Sequence, residues 1–166
     1  GLSNALSGKQ VLVIPELETT SLLPSLTTDA RNVIATFVRN GGMLLIGADY
    51  GRSDTTLLNG LFGYSIQSGT SGYSATLDTV KAAGTVFASA PTSVPGSNGT
   101  YSVTNASLPA AAKNIYHDAT YSSVFVIPEG YGQVGFLAFD WFDYPSPTTW
   151  ETVLSKTLSL NMITTD

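Results

Sequence analysis

Residues 10–50, QVLVIPELETTSLLPSLTTDARNVIATFVRNGGMLLIGADY, decide the fold. Val11 to Ile14 and Met43 to Ile46 are short apolar runs. Such runs suit strands of a parallel sheet buried on both faces. Between them Ala30, Val33, Ile34, Phe37 and Val38 recur at helical spacing and make one apolar stripe. Thr28 is placed to cap that helix, Asp29 suits its first turn and Arg39 its last. Gly41 can take the left-handed conformation that ends it. The stretch therefore reads as strand, helix, strand, joined by a right-handed crossover. In open α/β sheets ligands sit beyond the carboxyl ends of the strands. Here those ends carry Glu16, Glu18, Asp49 and Tyr50.

On either side of this unit the pattern is less regular. Residues 1–9 form a lead-in, with Leu2 and Leu6 on a single helical turn. Leu22, Leu23 and Leu26 of the first loop are expected to pack over the sheet edge. GRSDTTLLNGLFG (51–63) reads as a second helix, capped by Ser53 or Asp54 and ended by Gly63. A third strand is expected over Tyr64 to Gln67. Residues 69–121 show no lasting helical stripe and read as an irregular β-rich insertion. It carries a hairpin signal at Asn98-Gly99 and a strand near Thr100 to Val103. SSVFVIP (122–128) and QVGFLAFDWF (133–142) flank the glycine-rich EGYG and predict an antiparallel hairpin. A closing helix would begin with a capping box of Thr148 and Glu151 and bury Trp150, Val153, Leu154 and Leu158. The 166 residues read as one domain. Its parts are a βαβαβ half (10–68), the insertion (69–121), and the hairpin with its helix (122–166).

Composition narrows the function. Net charge is −5 and the seven basic residues are scattered, which leaves no electrostatic footprint for nucleic acid. An anionic membrane surface is an equally poor partner. No apolar run approaches the ~20 residues that a membrane-spanning helix needs. There is no cysteine, which removes disulfides, thiolate metal sites and thiol nucleophiles together. Only 11% of the residues are charged, against 19 Ser and 21 Thr. That uncharged polar character leads us to expect an exported bacterial protein, extracellular or on the cell surface, present as a mature form or a piece of a longer product.

FVRNGGMLLIGADY (37–50) and YGQVGFLAFDWF (131–142), with a closing helix after them, resemble the class I glutamine amidotransferase-like superfamily. The resemblance implies a flavodoxin-like, three-layer α/β/α fold on a mainly parallel sheet. It is greatest to the non-enzymatic branches, found as modules in large exported or envelope-associated proteins. The enzymatic branches use a cysteine on a nucleophile elbow, with a histidine and a carboxylate. This chain has no cysteine and no Gly-x-Ser-x-Gly elbow, and its single histidine, His117, lies in the insertion. The resemblance thus implies the scaffold without the chemistry. The match begins at what resembles the second strand of the fold. A sheet edge near Val11–Pro15 is then left for a preceding segment or another subunit to cover.

Two groups of residues are candidates for a site. Glu16, Asp49 and Asp140 follow apolar strands, as do Glu18 and Asp143. If those strands end together, Glu16, Asp49 and Asp140 share a crevice whose oxygens suit Ca²⁺ or Mg²⁺, or acid–base hydrolysis. The alternative is a set of solvated acids at strand ends. Trp141, Phe142 and Tyr144 offer a surface for a glycan or a protein partner, or else a strand end packed under the last helix. His117-Asp118 is the one place for a histidine base, and a zinc pair lacks its second histidine. Neither phosphate-loop pattern occurs, and no cofactor is expected beyond the candidate cation.

The leading expectation is a non-catalytic extracellular module for structure, adhesion or assembly. It would pair with copies of itself or with other domains of a larger protein, because an open sheet edge templates strand addition. A carbohydrate or small-ligand binding module and a carboxylate-based hydrolase are the alternatives.

Overall fold

A single turn, α1 (Leu2–Leu6), leads into β1 (Val11–Ile14), α2 (Thr28–Arg39) and β2 (Met43–Gly47). The computed structural model describes residues 1–17, 20–141 and 147–161. Glu18, Phe142, Asp143, Tyr144 and the tail from Met162 lie outside the described residues. β1 and β2 pair in parallel, with Val11 opposite Met43 and Ile14 opposite Ile46. Ile34, Ala35 and Val38 bury the inner face of α2. Its cap is Thr27, one residue before the expected Thr28: the Thr27 hydroxyl accepts the Ala30 N–H at 3.1 Å. Thr28 already has helical backbone and cannot take that role. β2 is buried throughout, as its apolar run requires. β1 departs from the same expectation, since Val13 is 50% exposed. Among the described residues no strand pairs with its outer side, and β1 is an edge.

The middle of the chain follows as α3 (Ser53–Phe62), β3 (Ser68–Ser71), β4 (Ala75–Leu77), α4 (Thr79–Ala82), β5 (Ser93–Val94), β6 (Tyr101–Thr104) and β7 (Lys113–His117). The third strand starts at Ser68 rather than Tyr64. The reason is local: the Asn59 side chain donates to the Ile66 carbonyl and accepts the Ile66 N–H, both at 2.9 Å. That segment spends its backbone groups on a side chain instead of a neighbouring strand. Asn98-Gly99 forms a turn but closes no hairpin, because β5 pairs with β4 while β6 pairs with β3 and β8.

β8 (Tyr121–Glu129) and β9 (Gly132–Leu137) form the expected antiparallel hairpin, and α5 (Thr148–Ser159) follows. α5 has Pro147 at its cap position and no side-chain cap, because Thr148 is already its first helical residue. Its buried face is Trp150, Val153 and Thr157, with Leu154 and Leu158 half-buried.

The sheet is mixed, α/β and flavodoxin-like, in the order β1-β2-β9-β8-β7-β4-β5, with β6 and β3 branching from β8. β1, β2 and β9 are parallel. From β9 onward the pairings are antiparallel, because the hairpin and the insertion extend the sheet. Paired residues share a face. Gly135 meets Met43, Leu45 and Thr157, which puts α5 on one face. Gly132 meets the backbone of Val38, which puts α2 on the other.

The hairpin turn is seated on the end of α2. Gly130 has φ 62° against Arg39, and the Tyr131 N–H donates to the Arg39 carbonyl at 2.9 Å. Arg39 Nε donates to Glu129 Oε1 at 2.8 Å, and the Tyr64 hydroxyl donates to Glu129 Oε2 at 2.7 Å. A Cβ at position 132 would collide with the carbonyl oxygens of Val38 and Gly42. Gly132→Ala is therefore expected to lower the unfolding free energy by about 1–3 kcal/mol, as overpacking does. Urea unfolding measures this, and an unchanged midpoint would mean that the turn does not touch α2.

Candidate functional site

The three parallel strands end on the same side of the sheet, so the sequence condition for a shared crevice is met. Ile46 lies between Ile14 and Phe136 in register. A Cβ on Gly47 would sit 3.4 Å from the Glu16 backbone nitrogen and 3.9 Å from the Phe139 carbonyl. Glu16, Asp49 and Asp140 thus follow adjacent strand ends.

Their side chains do not form a cation site. Among the described residues no group of three or more His, Asp or Glu is arranged to hold a metal ion. Asp49 is buried and engaged at both oxygens: Oδ1 accepts the Ser53 N–H at 3.1 Å and Oδ2 the Asp54 N–H at 2.9 Å. It satisfies two of the free donors at the start of α3 and faces that helix's positive end. Asp54 answers it: Oδ1 accepts the Thr55 N–H and Oδ2 the Asp49 N–H at 3.3 Å. The cap expected from Ser53 or Asp54 is therefore supplied by Asp49, four residues before the first residue of the helix. Asp140 is also buried, and its backbone N–H donates to the Gly99 carbonyl at 2.7 Å.

Two residues that the sequence did not offer as site candidates dominate this corner. Arg52, between the two acids, has φ 60° and is the one non-glycine residue with positive φ among those described. It stands at the cap position of α3, five residues past the end of β2. Its guanidinium donates to the carbonyls of Ser102 at 3.0 Å and Thr70 at 3.5 Å, and lies 5.2 Å from the centre of the Tyr101 ring. Burial lowers its pKa, and the charges of Asp54 and Asp49 oppose that shift. Asp54 is the second. Burial first, then the Asp49 charge, push its carboxyl up to about 7, against the pull of its two backbone N–H bonds and of Arg52. The signal available in sequence was two acids five residues apart across a strand-to-helix turn, which reads equally well as surface.

The other candidates resolve into packing. Trp141 is half-buried, with its ring centre 5.0 Å from that of Phe139 and 6.3 Å from that of Trp150. It joins an aromatic cluster under α5 instead of standing free as a stacking platform, and Phe142 and Tyr144 lie outside the described residues. His117 Nε2 is 3.2 Å from Asp78 Oδ2, and its Nδ1 is 2.7 Å from the Asp118 carbonyl. Asp78 in turn caps α4 through the N–H groups of Val80 and Lys81.

No protein-family profile matches the chain. No curated protein matches it. Solved structures do. A cytoplasmic protein from Salmonella typhimurium superposes with TM-score 0.68 at 14% identity, over 96% of this chain and 74% of that one. A second cytoplasmic protein, from Salmonella typhimurium LT2, gives 0.66 at 17%, over 96% and 72%. A ThuA-like protein from Bacteroides uniformis gives 0.56 at 10%, over 93% and 70%. At these identities the likeness is one of fold: the chain shares the α/β, flavodoxin-like architecture of these structures. The expectation of an exported, extracellular protein is corrected by the two Salmonella neighbours, both of them cytoplasmic proteins. A surface rich in Ser and Thr is compatible with many compartments and does not select one.

The buried acid pair makes stability depend on pH. The folded-state pKa of Asp54 lies above the ~3.9 of an unfolded aspartate, so the folded chain holds the extra proton between those values. The Asp54 contribution is therefore fully present below ~3.9 and is lost as pH rises from there through about 7. Asp54→Asn, which stays neutral, is expected to abolish this loss over the interval from about pH 4 to about pH 7. Thermal melts of both chains across that range check it, and parallel pH profiles would refute the assignment.

Proposed function

We propose that the chain is a non-catalytic structural and assembly module on a degenerate glutamine amidotransferase-like scaffold. The observation that carries this reading is Arg52. The strained residue before α3 is an arginine whose guanidinium is turned onto two backbone carbonyls and the Tyr101 ring, a use within the chain's own packing. The flanking acids support the same reading. Both oxygens of Asp49 and both of Asp54 accept backbone N–H groups, which leaves neither free to act on a substrate.

The assembly part rests on β1. An edge strand exposes unpaired backbone groups that another strand can complete. Val13 lies on the face of the sheet that α5 covers further in, and it remains 50% exposed there. A second copy of the chain, related by a two-fold axis, would bring β1 against β1 in antiparallel pairing and cover that side chain in both copies. Pro15, at the end of β1, limits the pairing to a short segment.

Light-scattering chromatography at rising concentration tests the proposal. The native chain is expected to shift toward a dimer. Val13→Lys, which puts a charge on the edge, is expected to remain monomeric with an unchanged melting temperature. A native chain that stays a monodisperse monomer at the highest concentration would sink the assembly reading.

A further inference from the structure

At the end of the sheet opposite the acids, a groove of about 810 Å³ opens between α1, α2 and the residues that follow α5. That volume is in the range of small-molecule sites, roughly 300–1,000 Å³. Its lining is unusual for this chain. The protein carries 12 acidic residues, yet among the described residues none lines the groove, and Lys9 is its one charged side chain. The polar lining is instead made of amides and hydroxyls: Ser3, Ser7, Gln10, Asn32, Thr36 and Asn40. Among the described residues none of these six side chains has a hydrogen-bond partner within the protein. Beside them Val33 and Phe37, the outer rim of the α2 stripe, stay half-buried and give the groove an apolar wall. The floor is fixed. Asn161 donates to the Gln10 carbonyl at 2.7 Å and to the Gly41 carbonyl at 3.1 Å, and the Phe37 ring packs on Gly42.

These groups select the ligand by elimination. An anion would meet a single lysine and the C-terminal end of α2, whose dipole is negative there. An organic cation would meet no carboxylate and would face Lys9. Carboxamides and hydroxyls both donate and accept, which matches a ligand whose own groups do both. The apolar wall suits a face of C–H groups between the hydroxyls. We propose that this groove binds a neutral, polyhydroxylated ligand of the saccharide class. It is a separate site from the β1 edge and from the acids at the carboxyl ends of the strands.

The test is titration of the isotope-labelled native chain with glucose, galactose, maltose and cellobiose, read by backbone amide shifts. Gluconate and glucosamine serve as the anionic and cationic counterparts. Saturable shifts are expected at Asn32, Thr36, Asn40 and Asn161 with at least one neutral sugar, and weaker responses with the charged analogues. Asn32→Ala and Asn40→Ala, both at exposed positions, are each expected to weaken that binding by about threefold to tenfold, the effect of one lost hydrogen bond. Absence of saturable shifts with all four neutral sugars would overturn the proposal. So would tighter binding of a charged analogue, or shifts that map away from α2 and survive both substitutions.

Discussion

The close approach of Gly130–Gly132 to the end of α2 is the constraint on which the rest of the structure depends. It joins segments some ninety positions apart, as the 90-residue separation of Arg39 and Glu129 records. Only a residue without Cβ lets the carbonyls of Val38 and Gly42 come so near at position 132. With the turn seated there, β9 starts level with β2 and runs parallel to it, Met43 opposite Gln133 and Gly47 opposite Leu137. That register carries Asp140 to the same end of the sheet as Asp49. It also leaves the far side of β8 as the place where the insertion must attach. Glu129 reinforces the seat by holding Arg39 with one oxygen and Tyr64 with the other. The Tyr64 pKa is raised by burial and by that carboxylate, so the hydroxyl remains a donor.

Much of this architecture was legible because it rests on local periodicity. The α2 stripe, the buried run of β2, the EGYG hairpin and α5 all declare themselves within windows of a dozen residues. What was not legible depends on partners distant in the chain. Nothing around Tyr64–Gln67 announces that the Asn59 amide will take the backbone groups of Ile66. Asn98-Gly99 has the chemistry of a hairpin turn, but the strands on either side of it find other neighbours. Val11–Ile14 looks as buried as Met43–Ile46, since an apolar run cannot say whether it lies at the centre or the edge of its sheet. The site followed the same division. Sequence placed Glu16, Asp49 and Asp140 at strand ends that do lie side by side. It could not show that Asp49 turns into the start of α3.

The corner around Arg52 sets two costs against several gains. A left-handed non-glycine residue costs on the order of 1–3 kcal/mol, and burying two carboxylates close together raises the pKa of one of them. The gains are shared. Asp49 and Asp54 satisfy four backbone N–H groups between them, and Arg52 donates to the carbonyls of Thr70 in β3 and Ser102 in β6. Arg52 thereby ties the branch of the sheet to the central strands. A strained backbone position is commonly found at a functional site. Here the strain is held in place by a helix cap and a cation lodged against carbonyl groups, both of which are structural uses.

The two ends of the sheet therefore have opposite characters. In open α/β folds the carboxyl ends of the strands are the usual place for a ligand. In this chain that end is occupied by its own side chains: buried Asp49, Asp54 and Asp140, Arg52 against Tyr101, and Trp141 against Phe139. The open volume lies at the other end, where β1 and β2 begin and the last turn of α2 meets Asn161. Three backbone carbonyls there are already taken, those of Gln10 and Gly41 by Asn161 and that of Gly42 by Gln133. The side chains that line the groove are almost all uncharged. A scaffold that closes its customary end with charge and leaves the opposite end open and neutral has moved its available surface. The two proposals, an assembling β1 edge and a ligand groove, both follow from that arrangement.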